Sequence, residues 1–318
     1  MKKFMILGTA VLMMFSAGFN AYAEYHAESR DLAATSKVDV EYTKCRFNCK
    51  GFIGLDLSGI VEVNLVKSDS YKVEVTLPNE LQEYLQVLVH DGVLKIGWNK
   101  TIPTKLKRRL ENWTCKAEIA MPELRKVEMS GATSLRCDDT FDLGRGELSL
   151  DLSGASHIKS LKADAGKLDA EISGASSCIM YGSYYEAELD LSGASSNNFT
   201  IKADKLEADV SGATNTSLDG DFGKVELDVS GAGEVNLKGT IGTLEVDASG
   251  ASNVKAMNAV TENAILETSG AANCSVNVTR SIMIEDATGA SNIRYKAPKD
   301  LDVMIKSIGR TASVKRIN

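Results

Sequence analysis

Nine acidic residues share one setting along this chain. Glu128, Asp151, Glu171, Asp190, Asp209, Asp228, Asp247, Glu267 and Asp286 each stand two places before a Ser-Gly-Ala or, at Thr288, a Thr-Gly-Ala. Asp56 holds the same place before Ser58-Gly59-Ile60. Four places before the Ser, Asp169, Glu188, Glu207, Glu226 and Glu245 add a second, partial column. If the repeats stack, the acids form ladders on an outer face. Neighbours about 5 Å apart then repel by about 1 kcal/mol per pair in water, less with salt. Interleaved Lys, hydrogen bonds at the corner or bound cations must offset that.

Such a ladder reads as a solvated face that discourages aggregation, or as one of three chemistries. Each acid can cap its own corner, as Asp does in turns, which is the plainest reading. The ladder centred on Asp151, Glu171, Asp190, Asp209, Asp228 and Asp247 is also a candidate for weak calcium binding, although the Gly-Gly-x-Gly-x-Asp motif of calcium-binding solenoids is absent. A glycosidase needs two carboxylates about 5 Å apart, and a ladder supplies many such pairs with none distinguished from the rest. His26, His90 and His157 are scattered, and none stands beside a nucleophile. No nucleotide loop or metal-ligand cluster appears, so no catalytic or cofactor-binding residue is assigned. Lys105 to Arg109 carries four basic residues in five. It offers an anion site and reads first as a solvated loop.

The elements that position these acids follow from the period. The nine tripeptides are separated by 23, 20, 19, 19, 19, 19, 20 and 19 residues, the mark of a stacked-repeat architecture. One, three and five places before the Ser the residues are mostly apolar, as in Leu148, Leu150 and Leu152 or Val225, Leu227 and Val229. Strand side chains alternate, so these face inward and the acids face out. Glu285 is an exception in the third-place column. Five and seven places after the Ser, residues such as Ile158, Val235, Phe199 and Leu237 mark a second inward strand, which Asn197 and Thr216 interrupt. Each coil is therefore expected to hold two strands, a corner at Gly-Ala and a second, looser turn. No helical period survives and the leucine-rich frame is missing. The expectation is an all-β parallel β-helix of 19–20 residues per coil.

In chain order, Met1-Lys2-Lys3, the apolar run Phe4 to Phe19 and Ala21-Tyr22-Ala23 read as a secretory signal peptide over 1–23. Residues 24–50 read as a mobile lead-in, and 51–318 as one β-helix domain. Within it, 51–127 form the first coil and an irregular β-rich cap, 128–296 the regular array, and 297–318 the closing strands. Leu55 to Leu65 is a degraded first copy of the repeat. Pro78-Asn79-Glu80 is expected to open a short helix to about Tyr84, and Asp91-Gly92 a hairpin. Loss of Lys2 and Lys3 leaves 34 basic against 43 acidic residues, a net charge of about −9. That argues against nucleic acid as partner. No later stretch is apolar enough to span a membrane. Export permits a disulfide among Cys45, Cys49 and Cys115, whereas Cys137, Cys178 and Cys274 read as small buried thiols.

The order Phe52, Leu57-Ser58-Gly59, Val61-x-Val63, Gly92-x-Leu94-x-Ile96, Ile119-x-Met121-Pro122-x-Leu124 and repeated Ser-Gly-Ala-Ser resembles the head GIN domain of auto-transporter adhesins, over residues 52 to 310. The resemblance implies a right-handed parallel β-helix in an exported protein of Bacteroides-like bacteria, and it carries over no catalytic residue. It leads us to expect a non-enzymatic adhesin or binding protein, periplasmic or on the outer surface of a Gram-negative cell. A glycan or envelope component is the expected partner, with homo-oligomers through the flat faces. A polysaccharide-acting enzyme and a purely structural envelope protein are the competing expectations.

Overall fold

The computed structural model describes residues 40–110 and 112–317. The signal peptide and the first part of the lead-in lie outside the described residues. Eighteen strands join in one continuous hydrogen-bonded sheet, wound into a parallel β-solenoid of about ten turns. Among the described residues no helix is long and apolar enough to cross a membrane.

The N-terminal part holds β1 (Tyr42–Phe47), β2 (Gly54–Lys67), β3 (Lys72–Pro78), β4 (Leu85–His90), β5 (Val93–Trp98), α1 (Thr104–Leu110) and β6 (Lys116–Met121). The array follows with β7 (Lys126–Asp142), β8 (Glu147–Leu152), β9 (His157–Ile172), β10 (Ser177–Leu191), β11 (Ser196–Val210), β12 (Asn215–Val229), β13 (Glu234–Ala248), β14 (Asn253–Thr268) and β15 (Asn273–Ala287). The C-terminal edge is closed by β16 (Asn292–Lys296), β17 (Val303–Ile305) and β18 (Ser313–Ile317).

The degraded copy is the first coil. β2 lies parallel to β7 in register from Gly54↔Lys126 to Leu65↔Cys137, so Ser58 stacks on Ser130 and Gly59 on Gly131. On its other side β2 pairs with β5 and β6, and these recruit β4 and β3 antiparallel. Switching from parallel to antiparallel pairing ends the stack without a long open template for further strands. β1 continues this cap by pairing antiparallel with β3, Cys45 opposite Val75. Residues 42–47 are therefore a strand, not part of a mobile lead-in. The expected hairpin turn has Asp91 and Gly92 at φ 49° and 74°, as a type I′ turn requires. A 3-10 helix occupies Asn79–Tyr84. The basic stretch expected as a loop is helical instead: the Pro103 carbonyl accepts from the Leu106 and Lys107 amides, and Leu110 is buried beneath it.

Each regular coil is one bent ribbon rather than two strands and a turn. β10 and β11 stay paired from Ser177↔Ser196 to Leu191↔Val210, because neighbouring coils bend together and the ladder survives the second corner. In β11, Asn197, Phe199, Ile201 and Ala203 are buried, then Leu206, Ala208 and Val210. The change of parity between Ala203 and Leu206 marks that corner. The residues one place before the Ser, from Met129 to Ala287, are buried in every copy. Glu285 escapes the core through a bulge: Leu266 pairs with Ile284 and Glu267 with Asp286. Ile284 thus takes the buried place.

Candidate functional site

Parallel, in-register stacking turns the acidic period into a physical ladder. Asp56 pairs with Glu128, Glu128 with Asp151, Asp151 with Glu171 and Glu171 with Asp190. It continues through Asp209, Asp228, Asp247 and Glu267 to Asp286. Ten carboxylates therefore run along one face, at about 4.8 Å per coil. Beside them stack Asp169, Glu188, Glu207, Glu226 and Glu245, and next to these Lys167, Glu186, Lys205 and Lys224.

The two columns differ in how their charge is balanced. Lys167 lies 2.7 Å from Glu188, and Lys224 lies 3.1 Å from Glu245. Lys205 contacts Glu207 and lies 3.8 Å from Glu226. Hydrogen bonding to Lys224 holds the Glu226 carboxyl below its usual range. The ladder is paired only at its N-terminal end, Asp56 with Lys95 at 3.0 Å and Glu128 with Lys126 at 2.7 Å. From Asp151 to Asp286 no ion pair reaches it among the described residues. Partial burial, then the neighbouring Asp228 and Asp190, push Asp209 upward. Burial and Asp247 do the same to Asp228, and burial with Asp247, Asp286 and Glu285 to Glu267. A shallow, open groove of about 480 Å³ runs over Asp209, Asp228, Asp247 and Glu267. A second groove of about 300 Å³ runs along Glu171, Asp190 and Asp209. Among the described residues no three His, Cys, Asp or Glu converge as metal ligands.

The acids do not cap their corners. Corner amides are used between coils, Ala155 N–H donating to Gly131 O at 2.7 Å and Ala213 N–H to Gly193 O at 2.8 Å. No ladder carboxylate accepts from a corner amide among the described residues. Two corners are tied from inside instead, by a buried hydroxyl residue three places after the Ser, while Ser176 and Ser252 in the same column have no hydrogen-bond partner among the described residues. Thr133, Ser156, Ser176, Ser195, Thr214, Ser252 and Ser291 are all buried there. Ser156 Oγ donates to Ser153 O and Thr214 Oγ1 to Ser211 O, each at 2.7 Å. Thr133 donates across to Ser156 at 3.1 Å. The fourth residue of Ser-Gly-Ala-Ser was the signal for this column, which sequence reading left unassigned.

Other candidates separate. His157 Nδ1 lies 2.8 Å from Ser177 Oγ at an exposed corner, and His90 lies 3.0 Å from Asp91 on the hairpin. All six cysteines are free thiols. Burial pushes Cys115, Cys178 and Cys274 up to about 12 and Cys137 up to about 11, so they are unreactive core residues.

Fold and site together define a class of protein, a parallel β-solenoid that stacks a column of carboxylates along one face. The family follows from the sequence itself. The profile described as "Putative auto-transporter adhesin, head GIN domain" matches residues 51–200 and 194–298, and the chain belongs to that family. No curated protein matches the chain. Among solved structures, a "putative adhesin" from Parabacteroides distasonis ATCC 8503 aligns over 88% of this chain and 98% of its own, at 18% identity and TM-score 0.50. A "putative lipid binding protein" from the same organism aligns over the same shares at 16% identity and TM-score 0.50. These likenesses bear on the fold.

Proposed function

We propose that this is an exported, non-catalytic protein of the cell envelope that binds or adheres through its repeated carboxylate face. The observation that carries this is the regular repeat of the ladder. From Asp151 to Asp247 the rungs are stacked in one register, each with a carboxylate above and below it. Catalysis by two carboxylates requires that their environments differ, so that one stays protonated. A face that repeats at every coil suits instead a ligand that repeats, such as a glycan chain or another envelope polymer. Family membership supports the same reading. The uncompensated charge calls for cations at the contact, either on the partner or as weakly held calcium between face and partner.

Glycan-array binding of the exported form, with and without millimolar calcium, tests this. We expect binding to a repeating glycan that is lost when Asp190, Asp209 and Asp228 are replaced together by Asn. A blank array in both conditions, with a stable monomer in solution, overturns the proposal.

A further inference from the structure

The cap carries a second surface whose chemistry is opposite to that of the ladder. A cleft of about 420 Å³ opens beside the first corner, lined by Ile60, Ile102, Trp98, Trp113, Lys100 and Lys107. We propose that it binds an amphipathic anion: an apolar chain or ring that ends in a carboxylate, phosphate or sulfate.

Three observations converge. The first is Ile60. It pairs with Ala132, and that corner position is Ala in all nine later copies, from Ala132 to Ala290. Only the first coil places a large apolar side chain there, and Ile60 is 40% exposed. The second is the aromatic wall. Trp98 and Trp113 meet edge to face, with centroids 5.6 Å apart and ring planes at 87°, while Ile102 is buried against them. Two perpendicular indoles present both a ring face and a ring edge to an apolar occupant. The third is charge. Residues 100–110 contain five basic and no acidic residues in a chain of net charge −7. Lys107 is exposed on the rim. Lys100 is held in place by Glu83 at 2.7 Å and by the Tyr84 ring at 4.6 Å.

The lining discriminates between ligands. Among the described residues no Asp, Glu, Asn or Gln lines the cleft to accept from sugar hydroxyls, and Thr101 supplies its side-chain hydroxyl. An apolar body therefore fits the walls better than a saccharide, and a negative head fits the lysine rim. This assignment is independent of the carboxylate face.

Trp98 and Trp113 are the chain's two tryptophans, so intrinsic tryptophan emission reports the cleft directly. The protein from full-chain expression is titrated with sodium decanoate below its micelle concentration, and with decyl maltoside as a neutral molecule of equal tail. We expect a saturable emission shift with decanoate only, weakened at least tenfold in Lys107→Glu and in Ile60→Ser. Vesicles of phosphatidylglycerol and of phosphatidylcholine separate the sources. A Lys107-dependent shift with phosphatidylglycerol alone assigns the head group to a lipid, and a shift with soluble decanoate assigns it to a free acid. Equal response to decyl maltoside, no response to any probe, or unchanged decanoate affinity in a Lys107→Glu protein with native circular dichroism overturns the proposal.

Discussion

The Trp98 indole lies directly over Gly59, where an added Cβ would meet Cδ1 and Nε1 at 2.3 Å. Gly59 heads the column of corner glycines that runs through Gly131 and Gly154 to Gly289. Within that column each Cβ would strike the glycine of the preceding coil, as Gly212 would strike Gly193 O at 2.5 Å. Trp98 thus takes the place of a preceding coil and closes the column at the cap.

Gly59→Ala and Gly212→Ala should therefore both destabilise, since φ is 88° and 72° and each position is also closed by a neighbour. The left-handed backbone alone costs a non-glycine residue about 1–3 kcal/mol. Denaturant midpoints should fall for both. Only Gly59→Ala should also shift tryptophan emission, because only there does the displaced atom belong to an indole.

The ladder should cost stability when it is ionised. Asp209 and Asp228 have folded-state pKa values raised by burial and by each other's column. For an acid with a raised folded pKa, the penalty is absent below the unfolded value near 3.9 and complete above the folded value. The double variant Asp209→Asn, Asp228→Asn should be more stable than the native chain at pH 7, by several tenths of a kcal/mol after screening, and so melt higher. The difference should vanish near pH 3 and shrink with added salt. A lower melting temperature at pH 7 would refute the account.

Much of this was legible in the sequence for one physical reason: every coil repeats the same burial pattern, so Val225, Leu227 and Val229 announce the same inward face as Leu148, Leu150 and Leu152. The ladder is legible on the same grounds, since Asp190, Asp209 and Asp228 hold one phase of that alternation. What lay outside the period was not. β1 is fixed by antiparallel pairing with β3, a long-range contact that no repeat announces. Glu285 needed the bulge after Leu266 to be understood. An acid and a Ser are both turn residues, and only burial shows that the Ser156 and Thr214 hydroxyls tie their corners.

Glu74 gives the cap an acid-sensitive fastening. Its side chain is 7% exposed and lies 2.6 Å from Lys44, 2.9 Å from Arg46 and 3.0 Å from Lys72. The Lys44 and Lys72 ammonium groups hold its carboxyl down at about 2. A depressed carboxyl contributes stability that is complete above its unfolded value near 4.3 and lost as pH falls through about 2. The protection of β1 amides relative to their intrinsic exchange rate should therefore fall between pH 4.3 and 2 in the native chain. Glu74→Gln should show lower protection in β1 at pH 6 and a flatter protection profile across that window. An unchanged profile would mean that β1 is held by its backbone pairing alone.

Thr214 and Thr216 lie two residues apart on the same buried side of β12 and its corner, yet the same substitution should move them in opposite directions. Thr214 Oγ1 donates to Ser211 O at 2.7 Å and accepts from Ser195 Oγ at 3.3 Å. Thr216 is fully buried and its hydroxyl finds no partner. A buried hydrogen bond is worth about 1 kcal/mol net, while a buried polar group without one is a cost of similar size. Val matches Thr in shape, so packing is kept in both variants. Thr214→Val should lower the unfolding free energy by about 1 kcal/mol, and Thr216→Val should raise it by about as much. Chemical denaturation of the two variants side by side checks the sign. Loss of stability in Thr216→Val would show that its hydroxyl is satisfied, most simply by a bound water between coils.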